Sequence, residues 1–159
     1  MTWEGENVHQ KNYEKRKTLI NCTFLIYILG VLFVTFIVRE TMVLRTPENR
    51  GVVLTPLREF EAMLVQPNHK FWFMQIFLNV LLFVPFGALL PCVAKPFRNP
   101  VVTVFAGFLF SSFIETMQHI TGRGLTEVDD VITNTMGAAF GYVFFSAAMF
   151  LYRQRESEW

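Results

Sequence analysis

VVTVFAGFLFSSFIETMQHITGRGLTEVDDVITN, residues Val101–Asn134, is the stretch whose reading decides the fold. Its first part, Val101–Ile120, is apolar apart from Glu115, Gln118 and His119 near the end. A helix needs roughly 20 residues to cross the hydrocarbon core of a bilayer, and this run reaches that length. Gly122 and Gly124 then turn the chain around Arg123, and Asp129 and Asp130 lead into a second long run, Val131–Tyr152. That run is broken only by Asn134, small hydroxyl residues and glycines. Two membrane crossings are therefore joined by a polar knot of Glu115, Gln118, Arg123, Asp129, Asp130 and Asn134. Ionisable groups at a membrane boundary are costly to desolvate, so such a knot is a candidate functional site.

Working outward, Leu19–Val38 has no charge, and Phe71–Ala94 is apolar except for Gln75 and Asn79. The expected fold is all-α: an integral membrane four-helix bundle in one domain, residues 1–159, with a polar stretch at 1–18. Composition agrees, since 52% of residues are hydrophobic, 16% are aromatic and the mean hydropathy is +0.35. A soluble domain of this size would leave much of that surface exposed. With 14 Lys and Arg against 13 Asp and Glu, no broad positive field for nucleic acid is expected. Glu4, Glu6 and Glu14 precede the first span and no small-x-small site follows it, so it does not read as a cleavable signal peptide.

Four spans put both termini on one side. Lys11, Lys15, Arg16, Lys17, Lys95, Arg98, Arg153 and Arg155 fall on that side, in short segments close to helix ends. Arg39, Arg45, Arg50, Arg58, Lys70 and Arg123 fall on the other. The positive-inside rule makes the termini cytoplasmic and puts the polar knot outside. Cys22 and Cys92 are expected near the inner ends of the first two spans, on the reducing side, as small apolar packing residues. No zinc-type spacing exists, and neither a metal nor a cofactor is assigned.

The loop from Arg39 to Lys70 is long and not Gly/Ser-rich, so it is not slack linker. Thr55 and Pro56 read as the N-cap and first residue of a helix. Leu57, Phe60, Met63 and Leu64 then recur at helical spacing, with Arg58, Glu59 and Glu61 between them. The expectation is a short amphipathic helix lying on the outer membrane surface until Pro67, either a cover or a gate.

Helical spacing tests whether the polar residues can meet. Ser111, Glu115 and Gln118 share one face, and Asp130, Asn134, Gly137 and Gly141 share another. At the α-helical rise, Glu115 lies roughly 8 Å, Asn79 roughly 12 Å and Asn134 roughly 5 Å below the outer ends of their spans. Three spans thus bring polar groups into the outer leaflet. Structural roles compete with functional ones. Gly137 and Gly141 suit close helix approach, and Asn79 suits an interhelical hydrogen bond. Thr126-x-x-Asp129 is a capping-box pattern for the last span, and Pro85 and Pro91 would kink or shorten the second. Glu115 and Arg123 would make a structural ion pair, an expensive route to stability compared with apolar packing. The carboxylates with amides would suit a divalent cation. Arg123 with Asn79, Gln118 and Asn134 would suit phosphate or carboxylate groups. No G-x-S-x-G, H-E-x-x-H or P-loop is present, so standard hydrolase and nucleotide chemistry is disfavoured.

At these residues a family resemblance enters. Asn79-Val80-Leu81-Leu82-Phe83-Val84-Pro85-Phe86-Gly87 resembles the N-x-L-L-F-x-P-F-G signature of VanZ-like membrane proteins. Glu115-x-x-Gln118, with its serine at Ser111 or Ser112, is similar to that family's S-x-x-x-E-x-x-Q helix. Gly122-Arg123, Asp129-Asp130-Val131-Ile132-Thr133-Asn134-Thr135-x-Gly137 and Gly141 resemble its G-R…D-D-x-x-x-N-T-x-G-x-x-x-G block. Leu54-Thr55-Pro56 is similar to the family's loop motif, although Val53 and Leu57 stand at its usual Asn and Phe positions.

The resemblance implies a multi-pass protein of the bacterial inner membrane. It implies tolerance to teicoplanin, a lipoglycopeptide of the class that seizes the D-Ala-D-Ala end of cell-wall precursors outside the membrane. Asn79, Glu115, Gln118, Arg123, Asp129, Asp130 and Asn134 are then the candidate ligand-binding residues, with membrane lipids and a lipid-linked precursor or the drug as partners. In the alternative, an integral-membrane enzyme would modify a cell-wall lipid or precursor, with Glu115 as general acid/base and Asp130 holding a metal or orienting substrate.

Overall fold

The structure is a computed structural model that describes residues 3–38, 51–122 and 125–157. Helix α1, Trp3–Phe33, runs into a π-helical turn at Val34–Val38. Strand β1, Gly51–Val53, precedes the short helix α2, Arg58–Val65, and the long helix α3, His69–Val93. A 3-10 turn at Lys95–Arg98 leads to α4, Pro100–Thr121, then β2, Leu125–Glu127, and α5, Val128–Ser157. Among the described residues, four helical stretches are long and apolar enough to cross a membrane: Gln10–Ile37, His69–Val93, Pro100–Thr121 and Val128–Arg155. The chain is a multi-pass, all-helical membrane bundle, as its hydropathy predicts.

Local chemistry explains the boundaries. The Asn99 side chain accepts from the N–H groups of Val101 (2.9 Å) and Val102 (3.3 Å), with Pro100 following it, and so starts α4. Gly122 ends α4 at φ 64°, a left-handed position that favours glycine. Gln66 is extended (ψ 150°), as a residue preceding proline must be, and closes α2. Pro85 and Pro91 do not shorten α3, which continues through both to Val93. They withhold N–H groups from single rungs of a ladder that packing on α5 keeps in place.

That packing is the centre of the fold. A Cβ added to Gly137 would overlap the Val80 carbonyl oxygen, one on Gly141 the Val84 carbonyl oxygen, and one on Gly87 the Ala138 carbonyl oxygen. The backbones of α3 and α5 therefore approach as only small residues allow, the usual solution where lipid supplies no hydrophobic drive between helices. Beside this seam Phe83, Phe86, Leu90, Val31, Ile114 and Ala138 form the apolar core, with the Phe86 and Phe110 rings stacked at 5.4 Å. The Tyr27 hydroxyl donates to the Leu82 carbonyl oxygen at 2.6 Å and ties α1 to α3. Most other large apolar side chains, such as Phe105 and Phe144, face outward, as lipid contact requires. Cys22 and Cys92 also lie exposed on the bundle, which corrects the expectation that they pack inside. A thiol is apolar enough to face acyl chains, and that of Cys92 donates weakly to the Ala88 carbonyl oxygen at 3.7 Å.

Both connections at one end of the bundle are stitched together. β1 and β2 pair in parallel, Gly51 with Leu125, Val52 with Thr126 and Val53 with Glu127. The long first loop is thereby anchored beside the α4–α5 turn.

Candidate functional site

The site is built at that stitched end. The α4 face predicted from spacing is buried along its length, with Ser111, Glu115 and Gln118 all inaccessible. Each member reaches a different element. Ser111 Oγ accepts from Asn134 Nδ2 on α5 at 2.9 Å. Glu115 Oε2 accepts from the backbone N–H of Glu127 at the end of β2, at 3.1 Å. Gln118 Nε2 donates to the Thr35 carbonyl oxygen in the π-helical turn after α1, at 3.1 Å. On α3, Asn79 Nδ2 donates to Asp130 Oδ1 on α5 at 2.6 Å. The polar residues of three spans thus pair directly across the bundle, Asn79 with Asp130 and Asn134 with Ser111, which are not the pairs that the depth arithmetic groups.

Asp129 does something the sequence does not suggest. Its carboxylate accepts from the N–H of Leu57 (2.5 Å, Oδ1) and of Glu59 (2.7 Å, Oδ2), so it caps α2 rather than its own helix. This corrects the capping-box reading, because Thr126 Oγ1 is buried with no hydrogen-bond partner among the described residues. It also corrects the Thr55–Pro56 start. The helix begins at Arg58, and its N-cap, Leu57, stands at φ 64° with no side-chain cap of its own. A carboxylate at those free N–H groups satisfies two donors and complements the positive end of the helix.

The cap fixes which way α2 faces, and one member of the expected polar side, Glu59, turns in while Arg58 and Glu61 stay exposed. Glu59 (1% exposed) and Ala62 turn inward, while Leu64 (80%) and Val65 (77%) turn outward. Outward leucine and valine make sense where the surroundings are lipid. Gln75 on α3 donates its side-chain amide to Glu59 Oε1 in a short contact. Carboxylate oxygens of Glu59, Glu127 and Asp130 then lie within 4.8 Å of one another, all three residues buried. Arg58 Nη1 stands 3.5 Å from Glu127 Oε1 at the rim. Arg123 lies outside the described residues.

Sequence reasoning therefore missed Glu59, Glu127 and Gln75. The one available signal was the small residue Ala62 a turn beyond Glu59, a sign that this face packs closely.

Chemically, the site is a buried, acceptor-rich centre assembled from α2, α3, α4, β2 and α5. Glu59, Glu127 and Asp130 could present an oxygen each to one divalent cation, and the same oxygens suit an ammonium or guanidinium group. Gln118 Oε1 and Asn134 Oδ1 are buried acceptors with no hydrogen-bond partner among the described residues. Each such atom costs about 1–3 kcal/mol, so this end is polar at the expense of stability.

No curated protein and no solved structure matches the chain. A sequence profile of the VanZ/LLP1 family matches residues 24–151, which takes in the second and third spans whole, the later half of the first, most of the fourth and every residue of the site. The chain belongs to the VanZ/LLP1 family.

Proposed function

We propose that this chain is a non-catalytic tolerance factor against teicoplanin-type lipoglycopeptides. On this reading it sits in a bacterial cell membrane with its termini in the cytoplasm, and the polar centre lies toward the outer side. The centre engages the headgroup of a lipid-linked cell-wall precursor, or the lipoglycopeptide itself, and lowers the access of the drug to its target. One observation carries the reading: buried Glu59, Glu115, Glu127 and Asp130 converge with Asn79 and Asn134 from five separate elements. Apolar side chains would hold the same helices together more cheaply, which supports a ligand as the reason for the carboxylates.

The catalytic alternative assigns proton transfer to Glu115 and substrate orientation to Asp130. Both carboxylates already accept hydrogen bonds inside the protein, from the Glu127 N–H and from Asn79, and that favours binding over turnover.

Expression in a susceptible bacterium should raise the inhibitory concentration of teicoplanin several-fold and leave the mass spectrum of cell-wall precursors unchanged. A glycopeptide lacking the acyl tail separates the two ligands: an equal rise assigns the precursor, and no rise assigns the drug's lipid. A new covalent form of the precursor would transfer the reading to catalysis. No change in tolerance would overturn it. Glu115→Gln retains shape and hydrogen bonding without the charge, so loss of tolerance with retained ligand binding would again point to chemistry.

A further inference from the structure

Outside the polar centre, a cleft of about 170 Å³ lies between α2 and the first turn of α3, lined by Arg58, Glu61, Ala62, Val65, Gln66 and Trp72. From its chemistry we infer a binding site for a zwitterionic lipid headgroup of the phosphoethanolamine type. The position is right, because Trp72 lies one turn inside α3, where that span enters the membrane, and tryptophan belongs at headgroup depth. The size is right too. Pockets for drug-sized molecules start at about 300 Å³, so this one holds a headgroup and not an acyl chain. The chains have their own surface beside it, since Leu64 and Val65 are the most exposed apolar residues of α2.

The polar lining carries both signs of charge. Arg58 and Glu61 are three residues apart on one helix face, so their charges are neighbours without cancelling. Arg58 spends one guanidinium nitrogen on Glu127 at 3.5 Å, and its remaining N–H donors suit a phosphate. Trp72 Nε1 donates to Gln66 Oε1 at 3.1 Å, which fixes the indole and leaves the Gln66 amide nitrogen as a further donor. Glu61 accepts from a primary ammonium, and the Trp72 ring face attracts the same cation. A purely anionic headgroup meets repulsion from Glu61. A choline headgroup carries no N–H for Glu61 to accept. Ethanolamine, with its ammonium close to its phosphate, satisfies both ends.

The test is lipid retention by the purified full-length protein, read by native mass spectrometry after exchange with equal phosphatidylethanolamine, phosphatidylglycerol and phosphatidylcholine. Phosphatidylethanolamine should be retained about tenfold over either competitor, the worth of one added charge-assisted contact. Glu61→Gln, at an exposed position, should collapse its advantage over phosphatidylcholine and phosphatidylglycerol. Arg58→Gln should lower retention of all three. Equal retention of the three lipids would overturn the inference, as would a Glu61→Gln protein with unchanged preference. Arg58 touches both this cleft and the polar centre, but Glu61 and Trp72 belong to the cleft alone, so the Glu61→Gln readout stands or falls independently of drug tolerance.

Discussion

Gly137→Leu and Gly141→Leu chains should fail to accumulate as folded protein in the membrane fraction. At both positions an added Cβ meets a backbone carbonyl oxygen of α3, of Val80 and of Val84 respectively. Backbone cannot swing aside as a flexible side chain can, so the helices must separate. Separation opens the seam beside Phe83 and Phe86 and lengthens the Asn79–Asp130 hydrogen bond in the same stroke. Overpacking alone costs about 1–3 kcal/mol, and the broken buried hydrogen bond adds roughly 1–3 kcal/mol more. That sum rivals much of the net stability of an ordinary domain. The internal control is Gly30, on α1, where nothing lies within 4 Å of an added Cβ. Gly30→Leu should accumulate like the parent chain. Membrane abundance and the thermal midpoint in detergent read both outcomes, and normal levels of Gly141→Leu would refute the close approach of α3 and α5.

Asp129→Ala should release α2 without melting the spans. The carboxylate holds the N–H groups of Leu57 and Glu59, and among the described residues no other side chain caps that helix start. Leu57 also stands at φ 64°, where a side chain costs about 1–2 kcal/mol, so the Asp129 hydrogen bonds maintain a conformation that the chain disfavours. Loss of a cap costs about 0.5–2 kcal/mol, and the buried Glu59 N–H left without an acceptor raises this toward the upper end. Because Glu59 rides on α2, its contacts with Gln75 and the other carboxylates should go with it. Hydrogen exchange gives a local readout: the amides of Leu57 and Glu59 should lose protection while those in the middle of α3 and α5 retain theirs. Asp129→Asn, which keeps one acceptor oxygen, should fall between. Unchanged protection in Asp129→Ala would show that α2 is held by other means.

These two predictions mark the boundary of what the residues disclose on their own. The spans and the polar faces of α4 and α5 are legible because helical periodicity is local, and Glu115 with Gln118 or Asp130 with Asn134 needs only one helix to be aligned. The Asn79–Asp130 contact is not legible this way, since the helical rise alone leaves Asp130 at the mouth of its span, well above Asn79. The trans cap is not legible, since Asp129 and Leu57 stand 72 residues apart and a Thr-x-x-Asp pattern already offers a local use for the carboxylate. The orientation of α2 is hidden for a different reason. A helix of this length carries few residues per face, too few for its pattern alone to decide which face is buried. Glu59 turns in because partners distant in sequence, Asp129 and Gln75, hold it there, while Arg58 and Glu61 of the same helix stay exposed. The β1–β2 pairing likewise joins distant strands of three residues each, too short to carry an alternation.

The most direct test of the account is ligand binding by purified protein in which the buried carboxylates are made neutral one at a time. Glu59→Gln and Glu115→Gln should each weaken capture of teicoplanin or of a lipid-linked precursor about tenfold or more, at unchanged helical content. Tolerance in cells should fall in parallel at matched membrane abundance. Parental affinity and parental tolerance in both variants would contradict the claim that this centre is where the protein acts.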